Sequence, residues 1–191
     1  MRNWYLIISL FLSGCATLPP PSQVNNICYI YNQYPHWYRA AKQTERYWGV
    51  PVHVQMAIMH QESKFQADAR PPFKFLWGII PLGRPSSAFG YAQALDSTWD
   101  LYQKNRGGIF ASRQNFKDGV DFIGWYVHNA SVRANISKDD AYRLYLAYHE
   151  GVTGYMNRSY LHKPWLINVA HKVSAQATVF KAQLQQCNAR V

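Results

Sequence analysis

Ala57-Ile58-Met59-His60-Gln61-Glu62-Ser63-Lys64-Phe65 closes an apolar helical run on a single carboxylate, with a hydroxyl directly behind it. Upstream, Val50-Pro51 is a good first-turn signal, because a proline there has no amide hydrogen to lose and its φ already suits a helix. Val52, Met56 and Met59 recur at i, i+4 and i+7, and Val54, Ala57 and Ile58 make most of the remaining circumference apolar. The pattern predicts a helix buried inside a domain. Glu62 falls near its C-terminal end, where exposed carbonyls carry partial negative charge and apolar neighbours add a desolvation cost. Both effects hold a proton on the carboxyl. A carboxyl still protonated near neutral pH is what general-acid cleavage of a glycosidic bond requires. Taken alone, the stretch also fits a solvated glutamate that merely closes a helix.

The chain has 191 residues, enough for one domain with a substantial core, and 16% aromatic with 16% charged residues fits a compact globule. Seven tryptophans and fourteen tyrosines are many for that core. Core packing absorbs most of them, and a carbohydrate cleft lined with flat amphipathic rings would account for others. The formal charge of +10 suits an anionic polymer or anionic lipid head groups. It is spread without a long lysine or arginine cluster.

Met1-Arg2-Asn3 gives a short positive start, and the apolar stretch Trp4 to Leu12 is too short for a permanent membrane span. Leu12-Ser13-Gly14-Cys15 closes it and resembles the bacterial lipobox, which implies a signal peptide over 1–14, cleavage before Cys15 and lipid on that cysteine. Residues 15–27, with Pro19-Pro20-Pro21, read as a lipidated tether. Ala16 is not the aspartate of an inner-membrane retention mark, so the expected location is the outer membrane of a Gram-negative cell, facing the periplasm. Export takes the protein away from nucleic acid. The two remaining cysteines, Cys28 and Cys187, are expected to pair across a domain spanning 28–187, followed by a short tail over 188–191.

Within that domain, Trp37, Ala40, Ala41, Thr44, Tyr47 and Trp48 show helical spacing that Gly49 stops. From Gln66 to Phe89 the pattern breaks. Pro71, Pro72, Pro81 and Pro85, with Gly78 and Gly83, carry Phe73, Phe75, Trp77, Ile79, Ile80 and Leu82 on a helix-poor insertion, read as a long loop or hairpin. It either covers core or forms a flap that closes over a sugar chain or touches a membrane. Asp96 is read as the cap of a helix stopping near Gly107-Gly108, and another helix is expected over 114–130. Ser137-Lys138-Asp139-Asp140 resembles a capping box opening a helix that ends at Gly151. Pro164 starts the last helix, with Leu166, Val169, Val173, Ala177, Phe180 and Leu184 along its buried side. With almost no alternating pattern, the domain is expected to be mainly α.

Glu62-Ser63-Lys64-Phe65, Gly90-Tyr91-Ala92-Gln93 and Ala147-Tyr148-His149-Glu150-Gly151 resemble the three ordered motifs of the family 1 lytic transglycosylases, E-S-x-F, G-L-M-Q and A-Y-N-x-G. With the lipobox, the chain is similar to the small membrane-bound, endo-type murein transglycosylase lipoproteins of that family. The resemblance implies a goose-type lysozyme-like fold acting on peptidoglycan glycan strands without a cofactor. It makes Glu62 the acid/base, Ser63 a neighbour orienting it or the substrate, and Gln93 a cleft residue near N-acetylmuramic acid. Tyr148 becomes a hydrogen-bonding partner of the glutamate. His149 stands where the family has Asn, and together with Glu150 is placed among the substrate contacts. Tyr91 and Ala92 replace Leu and Met.

The implied reaction breaks the bond between N-acetylmuramic acid and N-acetylglucosamine without water and leaves a 1,6-anhydro ring, so one enzymic carboxyl suffices. The other glutamates, Glu45 and Glu150, read as a polar helix face and as a structural or cleft residue. His149-Glu150 lacks a second histidine four residues after the first, so no zinc-protease motif is present, and His60 and His128 read as packed or surface residues. A phosphate-cradling glycine loop and a Gly-x-Ser-x-Gly elbow are also missing. A hydrolytic muramidase and a non-catalytic peptidoglycan-binding lipoprotein stay open as alternatives. A monomer is expected.

Overall fold

The computed structural model describes residues 17–187, and at its centre is a helix buried on almost every side, with ten of the twelve residues of Val52–Ser63 out of solvent. In chain order the elements are α1 (Ile27–Gln33), α2 (Pro35–Trp48), α3 (Val52–Ser63), a hairpin of β1 (Lys74–Leu76) and β2 (Ile80–Gly83), α4 (Asp96–Tyr102), α5 (Phe116–Ala134), α6 (Ala141–Met156) and α7 (Pro164–Cys187). The fold is mainly α, as its sequence patterning requires. The expected signal peptide over 1–14, the expected lipidation site Cys15 and the tail over 188–191 lie outside the described residues.

α3 sits among α2, α5, α6 and α7. Even its polar residues are accommodated there: Gln55 is fully buried, and its Nε2 donates to the carbonyls of Val50 at 2.7 Å and Ala41 at 3.3 Å. These two bonds offset part of the cost of burying the amide, while Gln55 Oε1 and, on the same helix, His60 Nε2 are buried with no hydrogen-bond partner among the described residues. Glycine permits the closest helix approach. A Cβ on Gly124 of α5 would lie 2.3 Å from Cγ2 of Thr44 in α2, so any larger residue would push the two helices apart. On the far side, α7 buries Leu166, Ala170, Val173, Ala177 and Phe180, a 4-3-4-3 stripe laid against α3 and α6. α1 and the end of α7 are joined by a Cys28–Cys187 disulfide with Cα atoms 5.8 Å apart.

Several local expectations need correction. Asp96 is the first residue of α4 and not its cap, and α4 runs on into a π-helical turn over Gln103–Gly107. The cap of α6 is Asp140, whose carboxylate accepts from the Arg143 amide at 3.0 Å, in place of the expected box from Ser137. α6 leaves helical geometry at Gly151 (φ 73°, ψ 160°) but resumes to Met156. α5 spans 116–134 and is capped by Asn115, whose side chain accepts from the amides of Lys117 and Asp118. The described part of the expected tether is packed on the domain. Pro21 is buried, the Tyr34 hydroxyl donates to the Pro19 carbonyl at 2.8 Å, and the Ser22 amide donates to Gln33 Oε1 at 3.2 Å. An extended proline run has no internal hydrogen bonds, so its carbonyls are free to be taken up by neighbours.

Candidate active site

α3 ends in a tight reversal. Lys64 and Phe65 both adopt positive φ, 51° and 62°, unusual for residues with a Cβ. Phe65 is fully buried beside Trp37 and His60, with ring centroids 6.0 and 5.9 Å away, and this packing holds the reversal in place. The helix therefore stops one residue after Glu62 and sends the chain away, leaving the carboxyl at the end of a buried rod. Glu62 is packed round by protein but keeps part of its surface open. Burial pushes its pKa up to about 7, against the opposing pull of a hydrogen bond from Tyr145 and the nearby Lys64 charge. His60, two residues earlier, is held neutral, its pKa lowered to about 4 by burial and by Lys64, whose ammonium lies 3.2 Å from Nδ1.

The loop Gly90–Gln93 is wired to both other motifs. The Ser63 hydroxyl donates to the Tyr91 carbonyl at 2.8 Å, and the Tyr148 hydroxyl donates to the Ala92 carbonyl at 2.6 Å. Gly90 takes φ 77°, and a Cβ there would sit 2.1 Å from the Arg113 carbonyl oxygen, so only glycine fits. Gln93 also has positive φ, 48°, and its amide donates to Ala69 O at 2.8 Å and Gly90 O at 3.0 Å. Its Oε1 is left as the atom able to accept from a ligand. The side chain of Tyr91 points the other way, buried against Trp37 and Phe116.

A family model described as the transglycosylase SLT domain matches residues 3–187. The chain belongs to that family. No curated protein and no solved structure matches it. Membership makes this a lytic-transglycosylase-type domain that acts on peptidoglycan.

Within this SLT domain the side chains sort differently from the motif-by-motif expectation. The hydroxyl that hydrogen-bonds Glu62 belongs to Tyr145, not Tyr148. Tyr148 is close enough for the Glu62 charge to raise its pKa further, after burial, but its proton is committed to Ala92. Ser63 is 5% exposed and acts as a strut between α3 and the loop, with no face open to substrate. Glu150 is likewise sequestered. Its side chain is 4% exposed, Oε1 lies 2.8 Å from Lys163 Nζ and 3.0 Å from His149 Nδ1, and Ser159 donates to Oε2. Burial alone would raise its pKa, yet the hydrogen bonds from Lys163, Ser159 and His149 prevail and bring it down to about 2. It is an ionised anchor for the turn over Ser159–His162 and holds no proton to donate. His149 remains partly exposed, edge-on to Trp165 at 5.2 Å.

Tyr145 is the residue that motif matching missed. It lies one helical turn before Tyr148 on the buried face of α6, and that i, i+3 relation is the signal that was available. Removing the Ser63 hydroxyl leaves the Tyr91 carbonyl without its donor inside the protein. Ser63→Ala is therefore expected to lower stability by about 1–2 kcal/mol in urea unfolding, with the loop loosened and cleavage slowed.

Proposed function

We propose that Glu62 is the general acid and base of a lytic transglycosylase that cleaves the bond between N-acetylmuramic acid and N-acetylglucosamine without water. The observation that carries the reading is a single carboxyl, raised to about 7 and partly open, set at the meeting point of the three motif segments. Protonated Glu62 gives its proton to the glycosidic oxygen as the bond to the muramic C1 breaks. The substrate's own acetamido oxygen steadies the cationic centre, which removes the need for a second enzymic carboxylate. The glutamate, now ionised, takes the proton from the muramic C6 hydroxyl as that oxygen closes on C1, giving the 1,6-anhydro ring and restoring the acid.

The other two glutamates are occupied elsewhere. Glu45 pairs with Lys42 and accepts from the Val52 amide at 3.1 Å, and Glu150 is tied into its own ion pairs. Gln93 Oε1 and the partly exposed His149 are the proposed substrate contacts. A groove of about 450 Å³ lined by Trp125, Tyr126, Asn129 and Gly151 adjoins Tyr148, whose ring is 5.1 Å from that of Tyr126, and offers flat rings with amides for further sugars. The lipobox at Leu12–Cys15 supports a lipid-anchored protein facing the periplasm. Mass spectrometry of products from purified sacculi tests the reaction, because anhydro ends are lighter than hydrolytic ends by one water. Reducing muramic ends as the main product would reject the transglycosylase in favour of a muramidase.

Tyr145→Phe probes the same carboxyl. The Tyr145 hydrogen bond favours the ionised form, so its loss raises the Glu62 pKa further above about 7. The alkaline limb of the rate profile is expected to move to higher pH. An unchanged limb would show that Tyr145 does not act on Glu62.

A further inference from the structure

The 73–82 stretch exposes Phe73, Phe75, Leu76, Trp77, Ile79, Ile80 and Leu82, with Trp77 and Ile79 more than 80% open at 83% and 81%. A hairpin in water normally hides one face and alternates apolar with polar. Here both faces are apolar, and among the described residues β1 packs only against β2. Trp77 and Gly78 at the tip take φ 52° and 75°, the two left-handed positions of a tight turn, so the apolar tip is shaped and held away from the domain. At its root the chemistry changes sign. Arg84 lies over the Phe73 ring at 4.2 Å, Arg70 over Phe89 at 4.0 Å, and Lys74 opens β1. From Asp68 to Asp96 no acidic residue intervenes.

We infer that the β1–β2 hairpin is a membrane-docking element that seats its apolar tip among the acyl-chain ends of an anionic lipid surface, with Arg70, Lys74 and Arg84 at headgroup level. β1 has three residues, Lys74–Leu76, and the four residue steps from Phe73 to Trp77 at the tip reach about 13 Å, enough to separate an apolar end from a charged root within the interfacial zone. Both strand edges keep unpaired backbone groups, which restricts the tip to the interface and rules out a span. Charge selects lipid over a second copy of the chain, since two hairpins face to face would oppose cationic roots. Pro81 in β2 and the irregularity between Lys74 and Phe75 also blunt the edges against strand pairing. Aliphatic Leu76, Ile79, Ile80 and Leu82 have no ring on which a sugar could stack. The root is tied to the motif loop, because Ala69 O accepts from both the Gly90 amide and the Gln93 side chain. Docking would therefore hold the Gly90–Gln93 loop close to the bilayer.

The test reconstitutes the full chain in phosphatidylglycerol vesicles with dibrominated acyl chains, beside Trp77→Phe. Subtracting the two emission spectra isolates Trp77 from the other tryptophans. The Trp77 component is expected to lose roughly half or more of its intensity, and less in phosphatidylcholine vesicles or at high salt. Ile79→Ser/Leu82→Ser keeps Trp77 and is expected to cut that quenching by roughly half, with an unchanged melting curve because the hairpin supports no other element. A Trp77 component left unquenched in anionic vesicles overturns the inference. So does a dimer in sedimentation that the double variant splits, which would assign the hairpin to self-association. Protection of Trp77 from a soluble quencher by sacculi without lipid would assign it to the glycan and overturn it too.

Discussion

Glu62→Gln lowers the rate of muropeptide release from purified sacculi by about 10²–10⁴-fold, the usual worth of a positioned acid-base group. Glutamine keeps the size of the side chain and can still accept from Tyr145, but it has no proton to deliver, so sacculus binding is retained while cleavage is lost. In the parent protein the rate falls as pH rises through about 7, because the acid must be protonated when the bond breaks. A Glu62→Gln protein that still releases anhydromuropeptides at the parent rate sinks the assignment. Glu150 could not then be promoted in its place, because at about 2 it is ionised over the whole working range.

The centre of this fold was legible because burial writes itself into sequence. α3 is apolar on nearly every side, and it is the helix that the fold surrounds. Gly49 and Pro164 mark helix ends whatever the tertiary context, the glycine because it tolerates the left-handed cap (φ 69°) and the proline because its fixed φ suits a first turn. α1 was not anticipated, since seven residues give too few repeats to show a period and its order comes from packing beneath α7. Asp96 and Ser137 fail as caps for a related reason: both residue types cap readily, and only the path of the chain into the helix decides which neighbour reaches the open amides.

Within the site, the position of the acid and the cause of its raised pKa followed from local arguments about helix ends and apolar neighbours. The identity of its partner did not. Tyr145 and Tyr148 share a face of α6, and which hydroxyl meets Glu62 depends on how α6 crosses α3, a quantity no local pattern contains. The same holds for Glu150, whose neighbours Ser159 and Lys163 arrive from the turn after the Gly151 break. Sequence spacing can place a carboxylate on a helix but says little about the cations a following loop will bring to it.

The substitution that removes activity is also expected to stabilise the protein, and only above mildly acidic pH. A carboxyl whose pKa is 4.5 when unfolded and about 7 when folded binds its proton more tightly in the native state. Below pH 4.5 both states are protonated and the group contributes no pH dependence. Between 4.5 and 7 the unfolded chain releases the proton while the folded one keeps it, so stability falls across that window and the full deficit persists at higher pH. The displacement corresponds to about 3 kcal/mol, and water in the partly open cleft reduces it to about 2–3. Glu62→Gln escapes the penalty, because a neutral amide in the same place has no charge to desolvate. Its urea midpoint should match the parent at pH 4 and exceed it at pH 8. A gain of equal size at both pH values would instead mean that the substitution acts through packing, and that the carboxyl of Glu62 is not held uncharged by its surroundings.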